Sequence, residues 1–137
     1  MMETPLQFRA METPPQTFTI LVVEDEPLIA LDIEDALTVL GLTVRLARSI
    51  SEARLALAVT PQPQLVLLDV VLPDGRSFDL AQEILDVGLP LVFLTGYDRG
   101  IPAELSGVTV VDKPFSPESL AAVVVGRLAV PGRGETG

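Results

Sequence analysis

Five polar positions stand at or just past the ends of hydrophobic runs. They are the neighbouring acids Glu24 and Asp25 after TILVV, Asp69 after LVLL, Thr95 after LVFL, and Lys113 after TVVD. Were these run ends to meet, three carboxylates would share one crevice. Two unit charges about 5 Å apart repel by roughly 3 kcal/mol at an effective dielectric near 20, so such a cluster needs a divalent cation, a lysine or a proton. The chain contains no histidine and no cysteine. It can therefore build neither a Ser-His nor a Cys-His nucleophile, and no histidine-ligated zinc or iron site. Any metal must be bound by oxygen, which favours a hard cation such as Mg2+, with positions left for water and phosphate oxygens.

The runs themselves supply the elements that could hold these residues together. Those at 18–24, 64–69 and 91–95 are continuous and aliphatic, as in strands covered on both faces. Two shorter runs, at 43–47 and 108–112, bring the number of strands to five. Helical patterns lie between them. Ile29, Ile33, Ala36, Leu37 and Leu40 recur at helical spacing, with Pro27 in the first turn and Gly41 as the stop. Ser49 and Glu52 match a Ser-x-x-Glu capping box at the head of a second helix over 49–59. A Pro73-Asp74-Gly75 turn precedes a third helix over about 77–87, and a last one spans 116–128. The helix due after the fourth strand is the weak one, because Gly100 and Pro102 both lower its propensity.

Strands alternating with helices imply an α/β fold, a parallel sheet with right-handed crossovers and helices on both faces. The common solution is a flavodoxin-like (βα)5 doubly wound sheet with strand order 2-1-3-4-5. Ligands then bind at the carboxyl ends of strands 1 and 3. Alternation alone leaves that order open.

With 137 residues there is room for a single domain, placed at 18–129, with flexible tails over 1–17 and 130–137. Met-Glu-Thr-Pro occurs twice in the first tail, at 2–5 and 11–14, and no hydrophobic period develops there. Aromatic residues make up only 4% of the chain, so the core must be aliphatic. No apolar run reaches the roughly 18 residues of a membrane span. Nine basic against 19 acidic residues give a net charge of −10, without the clustered Lys and Arg that phosphate neutralisation requires. Direct binding to nucleic acid or to an anionic membrane is not expected. A cytoplasmic location fits the lack of a secretory signal and of cysteine.

The pieces VVEDEP, LVLLDVVLPDG, FLTG and DKPF, in that order within residues 19–128, resemble the receiver domain of two-component response regulators, of the stand-alone type. By that resemblance Asp69 is the phosphoacceptor, taking a phosphoryl group from a histidine kinase or a phosphotransfer protein. Glu24 and Asp25 would hold Mg2+ with Asp69, directly or through water, joined by the backbone carbonyl of Val71. Lys113 would pair with the acceptor carboxylate and then with a phosphoryl oxygen, which Thr95 would also hydrogen-bond. The Lys113–Pro114 peptide would be cis. Phosphoryl transfer asks for positioning and charge neutralisation more than covalent help. In a chain without histidine, the donor must be another molecule.

The segment Phe93-Leu94-Thr95-Gly96-Tyr97 also resembles the motif naming the FAT GUY subfamily of receivers, with Leu94 where Ala is usual. That subfamily implies stress signalling and kinases of the HWE or a similar class. Receivers usually carry Tyr or Phe three residues before the lysine, where this chain has Val110. The mobile ring is therefore expected to be Tyr97, with Thr95 and the conformationally free Gly96 completing the switch. Val71 and Tyr97 flank the pocket, and neither side chain orients an attacking water well, so slow loss of the phosphoryl group is expected. Leu28 and Leu31 lie off the main stripe of the first helix, as docking residues for the phosphodonor or as peripheral core.

No stretch after Leu128 is long enough for an effector domain, so output is expected through a downstream protein target. Two rival readings exist. A haloacid-dehalogenase-like phosphatase also places Asp after a buried strand and uses Mg2+, but needs a second Asp where Val71 stands. A receiver-like interaction module that works without phosphorylation would keep the fold and leave the acceptor set unused.

Overall fold

A computed structural model describes residues 18–96 and 100–134. The continuous aliphatic runs form the three inner strands, β1 (Thr19–Val23), β3 (Leu65–Asp69) and β6 (Leu91–Thr95), and every residue of the last two is buried. The shorter runs form the edges, β2 (Thr43–Ala47) and β7 (Thr109–Asp112). Helices α1 (Pro27–Thr38), α2 (Ile50–Leu57), α3 (Phe78–Asp86) and α4 (Pro117–Gly134) cover the faces. A two-residue hairpin, β4 (Val71–Leu72) with β5 (Gly75–Arg76), sits between β3 and α3.

All pairings in the main sheet are parallel, in the order β2-β1-β3-β6-β7. This is the expected 2-1-3-4-5 arrangement once the hairpin strands are numbered in. Alternate residues of each inner strand feed opposite cores, as the two-residue period of a strand requires. Leu21, Val23, Val66, Leu68, Leu91 and Phe93 pack with Ala53 of α2 and Leu80 and Ile84 of α3. Ile20, Val22, Leu65, Leu67, Val92 and Leu94 pack with Ile33 and Leu37 of α1 and Leu120 and Val124 of α4. Each such side chain contributes about 1.5–3 kcal/mol by leaving water, which fixes the strand register firmly.

Several local details differ from the sequence pattern. In α1 the buried residues are Ala30, Ile33 and Leu37, while Leu40 is 44% exposed. The helix stops at Thr38, so Leu40 lies past its end, in the turn that Gly41 completes at φ 84°. Between β6 and β7 no α-helix forms among the described residues. A single 3-10 turn (Ala103–Leu105) replaces the expected weak helix and anchors itself through buried Leu105. Pro102 supplies extended backbone just before that turn, which shortens whatever helix could form. At the other end α4 runs to Gly134, so positions 130–134, expected in the tail, carry helical backbone.

Candidate functional site

Parallel register alone brings the polar strand ends together. Val23 pairs with Leu68, so Glu24 emerges beside Asp69. Asp69 pairs with Leu94, which puts Thr95 one step beyond it. Thr95 pairs with Asp112, and the Lys113 N–H donates to the Thr95 carbonyl at 2.8 Å. Four elements thus deliver five functional side chains to the carboxyl edge of the sheet.

Lys113 is the hub. Its Nζ lies 2.9 Å from Asp69 Oδ2 and 2.6 Å from Glu24 Oε1. Glu24 is fully buried, Asp69 and Thr95 nearly so, and Asp25 half-buried. The second Glu24 oxygen, Oε2, accepts from the Glu26 N–H at 3.0 Å, just ahead of α1. Oε1 has no hydrogen-bond partner beyond its close ionic contact with the lysine. Burial pushes the Glu24 carboxyl above its ordinary range; repulsion from Asp69 adds to this, while Lys113 and the Glu26 N–H pull the other way. Burial also opposes the Lys113 charge, but Glu24 and Asp69 outweigh it and raise the ammonium pKa above its usual value. Lys113 therefore remains charged near neutral pH.

Carboxylate oxygens of Glu24, Asp25 and Asp69 come within 4.8 Å of one another. The donor set is all oxygen, compact and anionic. It fits a Mg2+ ion that retains several waters. The Lys113–Pro114 peptide is cis, as the resemblance implied. Val71 stands two residues beyond Asp69, and its side chain is 49% exposed. Gly96 is exposed at the end of β6. Tyr97 lies outside the described residues.

Three contacts were not foreseen. One is the Lys113–Glu24 pair, since the sequence reading assigned Glu24 only to metal. The second is Ser77, which is fully buried. It occupies the position before α3, where a serine ordinarily caps, yet its hydroxyl donates 2.7 Å to the Asp69 carbonyl instead. The third is Asp74, legible only as a turn former. Its carboxylate accepts from the Ile50 and Ser51 N–H groups at 2.9 and 3.1 Å, 24 and 23 residues away in sequence. Ser49 caps α2 as expected, accepting from the Glu52 N–H at 3.1 Å, while Glu52 in turn accepts from the Arg48 N–H. Leu28 and Leu31 are 74% and 50% exposed and belong to neither core cluster.

Comparison with known proteins identifies what this arrangement is similar to. The family model described as the response regulator receiver domain matches residues 20–125. The phyllosphere-induced regulator PhyR of Methylorubrum extorquens is 36% identical over 110 residues, covering 77% of this chain and 41% of PhyR. The chain spans less than half the length of the curated relatives it matches. Among solved structures, the receiver domain of Erythrobacter litoralis PhyR aligns with a TM-score of 0.68 at 31% identity, over 82% of this chain and 90% of that one. A CheY-like receiver domain protein from Methanospirillum hungatei aligns with a TM-score of 0.74 at 25% identity, over 87% and 99%.

Proposed function

This chain belongs to the response regulator receiver domain family, and from that premise we propose that it is a phosphorylation-driven switch with Asp69 as phosphoacceptor. The observation that carries the reading is Lys113 Nζ seated 2.9 Å from Asp69 Oδ2 within a three-carboxylate cluster. An Asp69 oxygen bonds to phosphorus as the P–N bond of a donor phosphohistidine breaks. The imidazole leaves with the bonding pair and takes up a proton, and an acyl phosphate stays on the chain. Lys113 holds the acceptor carboxylate in place and then meets the charge of the incoming phosphoryl oxygens. Glu24, Asp25, Asp69 and the Val71 carbonyl would hold Mg2+, which when bound supplies further neutralisation of the phosphoryl group.

The phosphodonor is a histidine kinase or a phosphotransfer protein. The Phe93–Tyr97 resemblance points to the HWE class. Exposed Leu28 and Leu31 lie on α1, which starts beside the acidic pair, and are placed to meet that donor. Thr95, Gly96 and Tyr97 would report the phosphoryl group to a downstream protein target, in the cytoplasm. Val110 supports Tyr97 as the mobile ring. It lies half-buried in register with Phe93 and offers no aromatic side chain to rotate.

Incubation with Mg2+ and acetyl phosphate, followed by intact-mass measurement, tests the reading. One stable phosphate per chain is expected in the native protein and none in Asp69→Ala. Continuous release of phosphate would favour a phosphatase instead, and no modification at all a phosphate-independent interaction module.

A further inference from the structure

The segment joining β3 to α3 is held at more points than an eight-residue connection needs for its own fold. At its base the Ser77 hydroxyl donates to the Asp69 carbonyl at 2.7 Å, and the Ser77 N–H to the Val70 carbonyl at 3.0 Å. In the middle Leu72 is buried in the core, and Val71 and Leu72 pair with Arg76 and Gly75. At the tip the Asp74 carboxylate grips two N–H groups of the first turn of α2. An eight-residue helix that already carries Ser49 as its cap gains little from a second acceptor borrowed from a distant loop. The loop gains more, because its tip is otherwise solvent-exposed.

Val71 lies inside that loop, half-exposed and outside both core clusters, so side-chain packing holds it less firmly than Leu72. The placement of its backbone therefore depends more on the loop's anchors. We propose that Asp74 is a positioning residue for the metal site: by tying the loop tip to the α2 N-terminus it holds in place the backbone of Val71, whose carbonyl would join Glu24, Asp25 and Asp69 as a ligand. The inference rests on the proposed function, which makes Val71 a ligand. Asp74 itself touches neither metal nor phosphate. Supporting contacts behind metal ligands typically matter by about 10–100-fold in affinity, and a tie acting through three residues of backbone belongs at the lower end.

Calorimetric titration of Mg2+ into the full chain, without any phosphodonor, tests this. Asp74→Ala is expected to weaken Mg2+ binding about 10-fold. Ser49→Ala, which removes the other cap of the same helix, is expected to lower the urea midpoint yet leave Mg2+ affinity at the native value. Asp74→Asn keeps one acceptor oxygen and is expected to fall between, and it serves if Asp74→Ala does not fold. Native affinity in both Asp74 variants overturns the inference alone. So does an equal loss in Ser49→Ala, which would make helix integrity rather than the loop tie the cause. A native chain that binds no Mg2+ overturns the proposed function together with it.

Discussion

Two segments follow inner strands of the same sheet, and they are held very differently. The one after β3, residues 70–77, is anchored by the Ser77 hydroxyl, by hairpin pairing, by buried Leu72 and by Asp74 on α2. The one after β6, described from residue 100 onward, has one 3-10 turn and one buried side chain, Leu105. Its local hydrogen bonds run from Leu105 to Pro102, Ser106 to Ala103 and Val108 to Leu105, all within residues 102–108. The difference matches what the proposed function asks of each. A segment that presents ligands to a cation must not move, whereas one that reports a bound group must have a second arrangement within reach. The same sheet edge therefore carries a firm floor and a soft neighbour.

The largest expected effect is that of Lys113→Met, in the strand-end cluster beside both segments. Removing the ammonium takes away the donor poised on Asp69, and phosphorylation by acetyl phosphate is expected to slow about 100-fold. It also leaves Glu24 buried without its partner, a loss of about 3 kcal/mol in urea unfolding at neutral pH. The sign with pH follows from Glu24, whose carboxyl is already raised by burial and would rise further without Lys113. A carboxyl raised in the folded state favours folding when protonated, so the variant should regain stability as pH falls from 7 toward 5. A stability gap that is constant over that range would show that Glu24 finds another partner, and the cluster would be less dependent on the lysine than its geometry suggests.

The softness of the second segment is measured by native-state hydrogen exchange. The Leu105 and Val108 amides are expected to exchange about 100-fold faster than those of Val70 and Ser77, although all four are hydrogen-bonded. Pro102→Ala should narrow that gap, because it removes the block to a longer helical turn. Equal protection of the two segments in the native chain would abolish the contrast.

How much of this was legible in the sequence follows from the range of the forces involved. The convergence of Glu24, Asp69, Thr95 and Lys113 could be read once the common 2-1-3-4-5 order was taken, because continuous aliphatic runs fix register, and register fixes which residues emerge side by side. The partners of Ser77 and Asp74 could not. Ser77 has the residue type and position of a helix cap but turns its hydroxyl to Asp69, since a buried hydroxyl takes whichever acceptor lies nearest. Asp74 read as a turn former because its two donors are 23 and 24 residues away, and no local pattern records that approach. The weak segment was half legible: Gly100 and Pro102 announced poor helix, but propensity does not distinguish a short α-helix from a 3-10 turn.

The smallest effect separates the two kinds of anchor on the floor itself. Asp74 and Ser49 both accept from N–H groups in the first turn of α2, but only Asp74 titrates. Donation from the Ile50 N–H holds the Asp74 carboxyl below its ordinary value of 3.8. A depressed carboxyl contributes stability that is fully present above 3.8 and is lost as pH falls through its lower folded-state value. The stability difference between the native chain and Asp74→Ala should therefore be complete at neutral pH and close at strong acid, while the difference for Ser49→Ala stays level. Because Asp74 is solvent-exposed, added salt should shrink its contribution as well, and leave that of the neutral hydroxyl unchanged. If instead both differences run level with pH and salt, the loop tip is held by the shape of the hairpin rather than by an ionised carboxylate. The firmness of the floor would then have to be traced to Leu72 and Ser77.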